Sequence, residues 1–143
     1  MKIRTAKAED KDSIRQVYFA AVGPQARLDE ACWDQLIQSG GLIVAQIEGR
    51  IIGFAGIDVK ATEQVKWIYL VPQHQGAGIG SKILRRLEGI GWEAGLDSLR
   101  LHSTPGAVEF YQRHGYRGVE EAEQLGHDHQ GVEMVKEQQR GVV

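Results

Sequence analysis

A chain of 143 residues with 42% hydrophobic and 25% charged residues fits one globular domain over residues 1–143 with a sizeable core. Its net charge of -2 argues against a broad basic surface for nucleic acid. The single cysteine, Cys32, allows no internal disulfide, and the sequence has neither an apolar signal core nor an apolar run of roughly 18 residues that could span a membrane. We therefore expect a cytoplasmic protein that binds neither nucleic acid nor membranes.

The first half of the chain predicts an edge strand, two amphipathic helices and an antiparallel meander of three strands. Gly23 ends the first predicted helix, and Gly40 ends the second. Within the meander, Glu48-Gly49-Arg50 is a hairpin signal with glycine where a positive φ is expected. The predicted strands span 2–6, 42–47, 51–59 and 65–71, and the second helix begins at about Asp29.

A glycine-rich turn follows the third strand of the meander. Gly76, Gly78 and Gly80 lie in this turn, and an amphipathic helix is predicted to begin at about Gly78. Unpaired backbone N–H groups and the positive end of the helix dipole meet there and favour a phosphate group. The spacing does not match the dinucleotide fingerprint, which would need glycine at Ser81 or Ile83, and it does not match the P-loop. Taken alone, the turn predicts an anion site, with a plain tight turn as the alternative.

The remaining chain predicts three further strands and one short helix. A strand at 99–102 should lie beside the strand at 65–71, because parallel neighbours are joined by a right-handed crossover. Thr104-Pro105 predicts an N-cap and the first residue of a helix that ends at His114-Gly115. Two closing strands are predicted at 116–119 and 132–135.

Two segments of the sequence resemble the signatures of the GNAT superfamily of N-acetyltransferases. IYLVPQHQGAGIGSKIL, at 68–84, resembles the acyl-CoA-binding motif Gln/Arg-x-x-Gly-x-Gly/Ala, and TPGAVEFYQRHGY, at 104–116, resembles the second motif of the family. The resemblance implies a mixed α+β fold of the three-layer type. It implies a mostly antiparallel central sheet of about seven strands, a splayed parallel central pair that holds acyl-CoA, and about four flanking helices.

The resemblance also implies a role for particular residues. Backbone groups of Leu70 and Val71 would bond the pantetheine arm of acetyl-CoA as if it were an added strand. Tyr111 falls on the position that often serves as general acid toward the departing thiolate. The residues whose backbone N–H groups would hold the pyrophosphate are Gln75, Gly76, Ala77, Gly78, Ile79, Gly80 and Ser81.

The chemistry of amine acetylation requires a donor and a base. A phenol near the sulfur can protonate or stabilise the leaving thiolate, and a base must take a proton from an amine whose pKa is about 10.4. Glu63, at the start of the central strand, is our candidate base, followed by Asp58, His102 and His127. We therefore predict transfer of an acetyl group from acetyl-CoA to a primary amine of a small molecule or a peptide.

Several features leave alternatives open. Thr104 stands where the second motif frequently has asparagine, so the side-chain amide through which that asparagine could contact the cofactor is replaced by a hydroxyl here. This departure and the absence of an obvious base favour a second hypothesis, a non-catalytic acyl-CoA-binding regulatory module. Tyr111 could be a packing residue, and His127-Asp128-His129 is more typical of a solvated loop than of a metal site, so we expect no metal. The resemblance leaves a homodimer open.

Overall fold

The computed structural model describes residues 1–27, 29–119 and 131–138. These residues contain seven strands and four α-helices, in agreement with the numbers predicted from the sequence. The strands are β1 (Lys2–Thr5), β2 (Leu42–Ile47), β3 (Arg50–Ile57), β4 (Val65–Leu70), β5 (Ser98–Ser103), β6 (Arg117–Gly118) and β7 (Val132–Glu137). The helices are α1 (Lys11–Val22), α2 (Glu30–Ser39), α3 (Ile79–Glu93) and α4 (Val108–Arg113).

The strands form two antiparallel sheets that meet at β4 and β5. One sheet has the order β1-β2-β3-β4, and the other has the order β5-β7-β6. Near the start of both meeting strands, the Arg100 backbone N–H donates to the side-chain oxygen of Gln64 at 2.9 Å. In the described residues β4 and β5 are not paired by backbone hydrogen bonds as neighbouring strands. The splaying predicted for this pair therefore divides the central sheet into two.

Helices cover both faces of the four-stranded sheet. Leu42 and Val44 on β2 pack in the cluster that contains α1 and α2, whereas the alternate residues Ile43 and Ala45 pack in the cluster that contains α3. This alternation follows from the two-residue period of a strand, since successive side chains point to opposite faces. The three-layer α+β class expected from the sequence is therefore confirmed.

Two local predictions have different outcomes. Glu48 and Gly49 both adopt positive φ, at 51° and 78°, which is the two-residue hairpin geometry that the sequence predicted between β2 and β3. Thr104, in contrast, does not cap α4. A short 3-10 turn at Pro105–Ala107 intervenes before the helix, and the Thr104 side chain makes no capping hydrogen bond. The Thr104 carbonyl accepts from the Ala107 N–H at 3.0 Å, which is the i→i+3 bond of a 3-10 turn, and Pro105 at its first position provides no backbone N–H to be capped.

The structure also bears on membrane insertion. No helix in the described ranges is long and apolar enough to cross a bilayer.

Candidate active site

The turn between β4 and α3 has the backbone geometry that exposes N–H groups. Gly76 and Gly78 adopt φ values of +84° and +79°, in the left-handed region that side chains disfavour. A Cβ atom added to either glycine would meet nothing within 4 Å, so the space beside them is open. The first helical bond of α3 runs from Lys82 N–H to the Gly78 carbonyl at 3.4 Å, so the preceding N–H groups have no acceptor within the helix.

A cavity of about 710 Å³ lies between this turn, β4 and α4. We call it the donor cavity. Its volume falls within the roughly 300 to 1,000 Å³ that is usual for small-molecule sites. It is lined by Ile68, Leu70, Gln75, Gly76, Gly78, Gly80, Ser81, Gly106, Ala107, Phe110, Tyr111 and Arg113.

The hydrogen bonds of β4 decide which of its backbone groups face the cavity. The Val71 N–H donates to the Ile52 carbonyl at 2.9 Å, and the Val71 carbonyl accepts from His74 at 3.0 Å. The Val71 N–H is therefore unavailable for an added strand, contrary to the role predicted for it. Since antiparallel pairing alternates along a strand, the backbone groups of Ile68 and Leu70 point away from β3 and toward the cavity. The Leu70 carbonyl also accepts from the Gln75 side-chain amide at 3.2 Å.

Tyr111 lies on α4 at the wall of the donor cavity. Its side chain packs edge-on against Phe110, with ring centroids 5.2 Å apart, and only 9% of the residue is exposed. Burial, with a smaller contribution from the charge of Tyr69, raises the pKa of Tyr111 to about 12. The phenol therefore remains protonated at neutral pH and can donate a hydrogen bond.

Ser81 and His114 form a contact that the sequence did not predict. The Ser81 Oγ atom lies 2.9 Å from His114 Nε2, which joins the first turn of α3 to the end of α4. The His114 ring also packs against Phe110, with ring centroids 4.9 Å apart. Burial lowers the pKa of His114, so its imidazole is neutral at pH 7.

Three of the candidate bases, Glu63, Asp58 and His102, do not line the donor cavity with Tyr111. Glu63 lies in the bend before β4, at the end where Gln64 bonds β5, and it is not among the described residues that line the donor cavity. Asp58 accepts a hydrogen bond from the Lys60 N–H at 3.1 Å within a tight turn. His102 lies exposed on β5, and His127 falls outside the described residues. The structure thus brings Tyr111 and the glycine turn together, and it leaves Glu63 at the other end of β4.

A protein metal site requires several ligand side chains placed close together. Within 1–27, 29–119 and 131–138, no group of three or more His, Cys, Asp or Glu residues is placed to hold a metal ion. His127-Asp128-His129 lies outside these ranges.

Comparison with known families agrees with this geometry. The family model described as an acetyltransferase (GNAT) domain matches residues 38–118, which is more than half of the chain. The chain belongs to the GNAT acetyltransferase family. The matched range contains the glycine turn, the donor cavity and Tyr111, and the family recognised in the sequence motifs is confirmed.

One curated N-acetyltransferase matches about half of this chain. The uncharacterized N-acetyltransferase YjcF of Bacillus subtilis (strain 168) is 33% identical over 70 residues, which is 49% of this chain and 50% of that protein. The match therefore spans about half the length of this curated relative.

Solved structures match over nearly the whole chain. PH1933 from Pyrococcus horikoshii OT3 has a TM-score of 0.78 at 21% identity and covers 97% of this chain and 99% of its own. The PaiA N-acetyltransferase from Thermoplasma acidophilum, solved in complex with coenzyme A, has a TM-score of 0.70 at 19% identity and covers 96% of this chain and 98% of its own. At these identities the two structures support the GNAT-like fold.

Proposed function

We propose that this protein transfers an acetyl group from acetyl-CoA to a primary amine. The observation that carries the proposal is the donor cavity, in which an open glycine turn at a helix N-terminus and a protonated Tyr111 line the same space. The coenzyme A in the solved PaiA relative belongs to that protein, and it supports the same ligand class here. The acetyl-CoA would enter as a co-substrate.

The donor would bind along β4 with its phosphates at the glycine turn. The unpaired N–H groups between Gly76 and Ser81 suit a pyrophosphate, and the guanidinium of Arg113 at the cavity wall adds a positive charge. The pantetheine arm would pair with the backbone of Ile68 and Leu70, because these groups point away from β3. We thus replace Val71 with Ile68 in the proposed donor site.

In the proposed reaction, the nitrogen of a deprotonated amine attacks the thioester carbonyl carbon. The N–C bond forms, the C–S bond breaks, coenzyme A leaves as a thiolate, and the amine proton passes to solvent or a base. The Tyr111 hydroxyl would donate to the departing sulfur. Since the pKa of Tyr111 is about 12 and that of an ordinary thiol is about 8.5, full proton transfer to sulfur is uphill. Tyr111 would therefore act chiefly by hydrogen-bond stabilisation of the thiolate.

Release of free coenzyme A from acetyl-CoA, measured with a panel of amines, tests this function. Tyr111→Phe removes only the hydroxyl, so we expect kcat to fall about 10- to 100-fold, as for loss of a hydrogen bond to a charged group. The KM for acetyl-CoA should change little. Full turnover by Tyr111→Phe would exclude this role for Tyr111.

The regulatory alternative makes a different prediction in the same assay. A non-catalytic module would bind acetyl-CoA tightly by calorimetry and transfer acetyl to none of the amines. Thr104, which stands where the second motif frequently has asparagine, and the absence of an obvious base favour this alternative. Robust transfer to any one amine would exclude it.

A further inference from the structure

A second pocket lies on the face of β4 opposite the donor cavity. Trp67 and Tyr69 line it, whereas the alternate residues Ile68 and Leu70 line the donor cavity. We call it the aromatic pocket, and its volume is about 200 Å³. Its other lining residues are Tyr18, Arg27, Asp29, Cys32 and Trp33.

Aromatic rings fixed by their neighbours form the walls of this pocket. The Tyr18 ring centroid lies 6.0 Å from that of Trp33 and 5.4 Å from that of Tyr69, both in edge-on contacts. The Tyr18 hydroxyl donates to the Arg27 carbonyl at 2.5 Å, which ties α1 to the connection before α2. Beneath the pocket, the fully buried Phe54 contacts the Trp33 ring at 5.5 Å between centroids. The walls are therefore organised before any ligand binds.

The pocket lining carries one carboxylate and one guanidinium, both on exposed residues. Asp29 presents an exposed carboxylate at the rim, and its Oδ1 atom is held at the start of α2 by the Ala31 N–H at 3.2 Å. Burial raises the pKa values of Tyr69 and Cys32, so both groups line the pocket in neutral form at pH 7. The Arg27 guanidinium is the cationic group of the lining, and its residue is exposed. Ring faces attract a cation placed over them, and this attraction adds to that of the Asp29 carboxylate.

We propose that the aromatic pocket selects the acceptor, which is a compact primary amine on an aromatic or alkyl body. The amine binds as an ammonium ion against the rings and Asp29, and it loses one proton to solvent before its nitrogen attacks the thioester. This inference rests on the proposed acetyl transfer and names the class of amine. The volume is below the usual range for drug-sized ligands, which restricts the body to a compact one. Tyr69 lies between Ile68 and Leu70 on β4, so the aromatic pocket and the donor cavity lie on the two faces of the same strand segment.

Binding can be measured without any acetyl transfer. Trimethylphenethylammonium has the charge and the aromatic body but no nitrogen lone pair, so it cannot be acetylated, and choline has the same charge on a hydrophilic body. By calorimetry, we expect the aromatic probe to bind wild type at least tenfold more tightly than choline. Trp67→Leu keeps apolar volume but removes the ring face, so it should lower the affinity for the aromatic probe at least tenfold. Asp29→Asn keeps a capping oxygen for α2 and should lower the affinity for the aromatic probe at least threefold.

A control and a turnover assay separate this inference from the proposed function. Tyr111→Phe alters the donor cavity only, so it should bind the aromatic probe as wild type does. In turnover, phenethylamine should have a kcat/KM at least tenfold above that of spermidine or glutamate. Equal binding of the two probes, or an unchanged affinity in Trp67→Leu, would overturn the pocket assignment even if some amine is acetylated. Tight, Trp67-dependent binding without any acetyl transfer would support the pocket and refute the enzymatic function.

Discussion

The Ser81 hydroxyl oxygen lies 2.9 Å from Nε2 of His114, and this contact couples the first turn of α3 to the C-terminal end of α4. Ser81 lines the donor cavity on one side of the contact, and Phe110 and Tyr111 precede His114 on the same helix. A shift of α4 relative to the glycine turn would therefore change the phosphate end and the tyrosine end of the cavity together.

Removal of either partner should weaken coenzyme A binding. Ser81→Ala and His114→Asn each lose one hydrogen bond worth about 1 kcal/mol, so we expect the Kd for coenzyme A to rise roughly three- to tenfold. Because both changes break the same contact, the double variant should bind coenzyme A only slightly less tightly than the single variant with the lower affinity. Calorimetry on the four proteins measures this coupling. Strictly additive losses would show that the two side chains act independently.

The pH dependence of stability should contain a contribution from His114. Burial is the main cause that lowers its pKa, the positive charges of Lys136, Arg85 and Arg113 lower it further, and Glu88 opposes them. An unfolded histidine has a pKa of about 6.5, so below that pH the unfolded chain binds more protons than the folded one. The free energy of unfolding should therefore fall as the pH drops through about 6.5.

This loss should be smaller in His114→Gln than in wild type. Urea denaturation at several pH values between about 5 and 7.5 measures it. His74→Gln is the matched control, since His74 lies in the turn after β4, outside the Ser81 contact. Parallel pH curves for wild type and His114→Gln would contradict the assignment.

Gly78 and Gly89 provide a matched pair of glycine substitutions on one helix. Gly78 is the N-cap of α3 at φ +79°, so Gly78→Ala should destabilise the protein by about 1 to 2 kcal/mol and also weaken coenzyme A binding. Gly89 lies inside α3 with nothing within 4 Å of an added Cβ, so Gly89→Ala should stabilise it by about 0.5 to 1 kcal/mol. Thermal unfolding and calorimetry test both. An unchanged affinity in Gly78→Ala would argue against phosphate contact at this turn.

Local signals predicted much of the fold and one wall of the site. The Glu48-Gly49 hairpin and the helix start at Gly78 depend on backbone preferences within a few residues, which sequence spacing expresses directly. The pairing of the Val71 N–H with the pantetheine arm was a less successful prediction, because that N–H bonds β3. The register of β4 against β3 decides which backbone groups are free. The contact of His114 with Ser81 spans 33 positions, so no local pattern indicates it.

Glu63→Gln tests whether the base predicted from the sequence acts in catalysis. A general base typically contributes about 10²- to 10⁴-fold to the rate, so loss of a true base would be evident in kcat. Glu63 precedes Ile68 by five residues, up to roughly 17 Å along an extended strand, and it lies at the end where β4 and β5 are still joined through Gln64. We therefore expect kcat to stay within about threefold of wild type across the pH range. A loss of 100-fold or more, with a shifted acidic limb of the pH profile, would establish Glu63 as the base and require the reacting amine to lie near the start of β4.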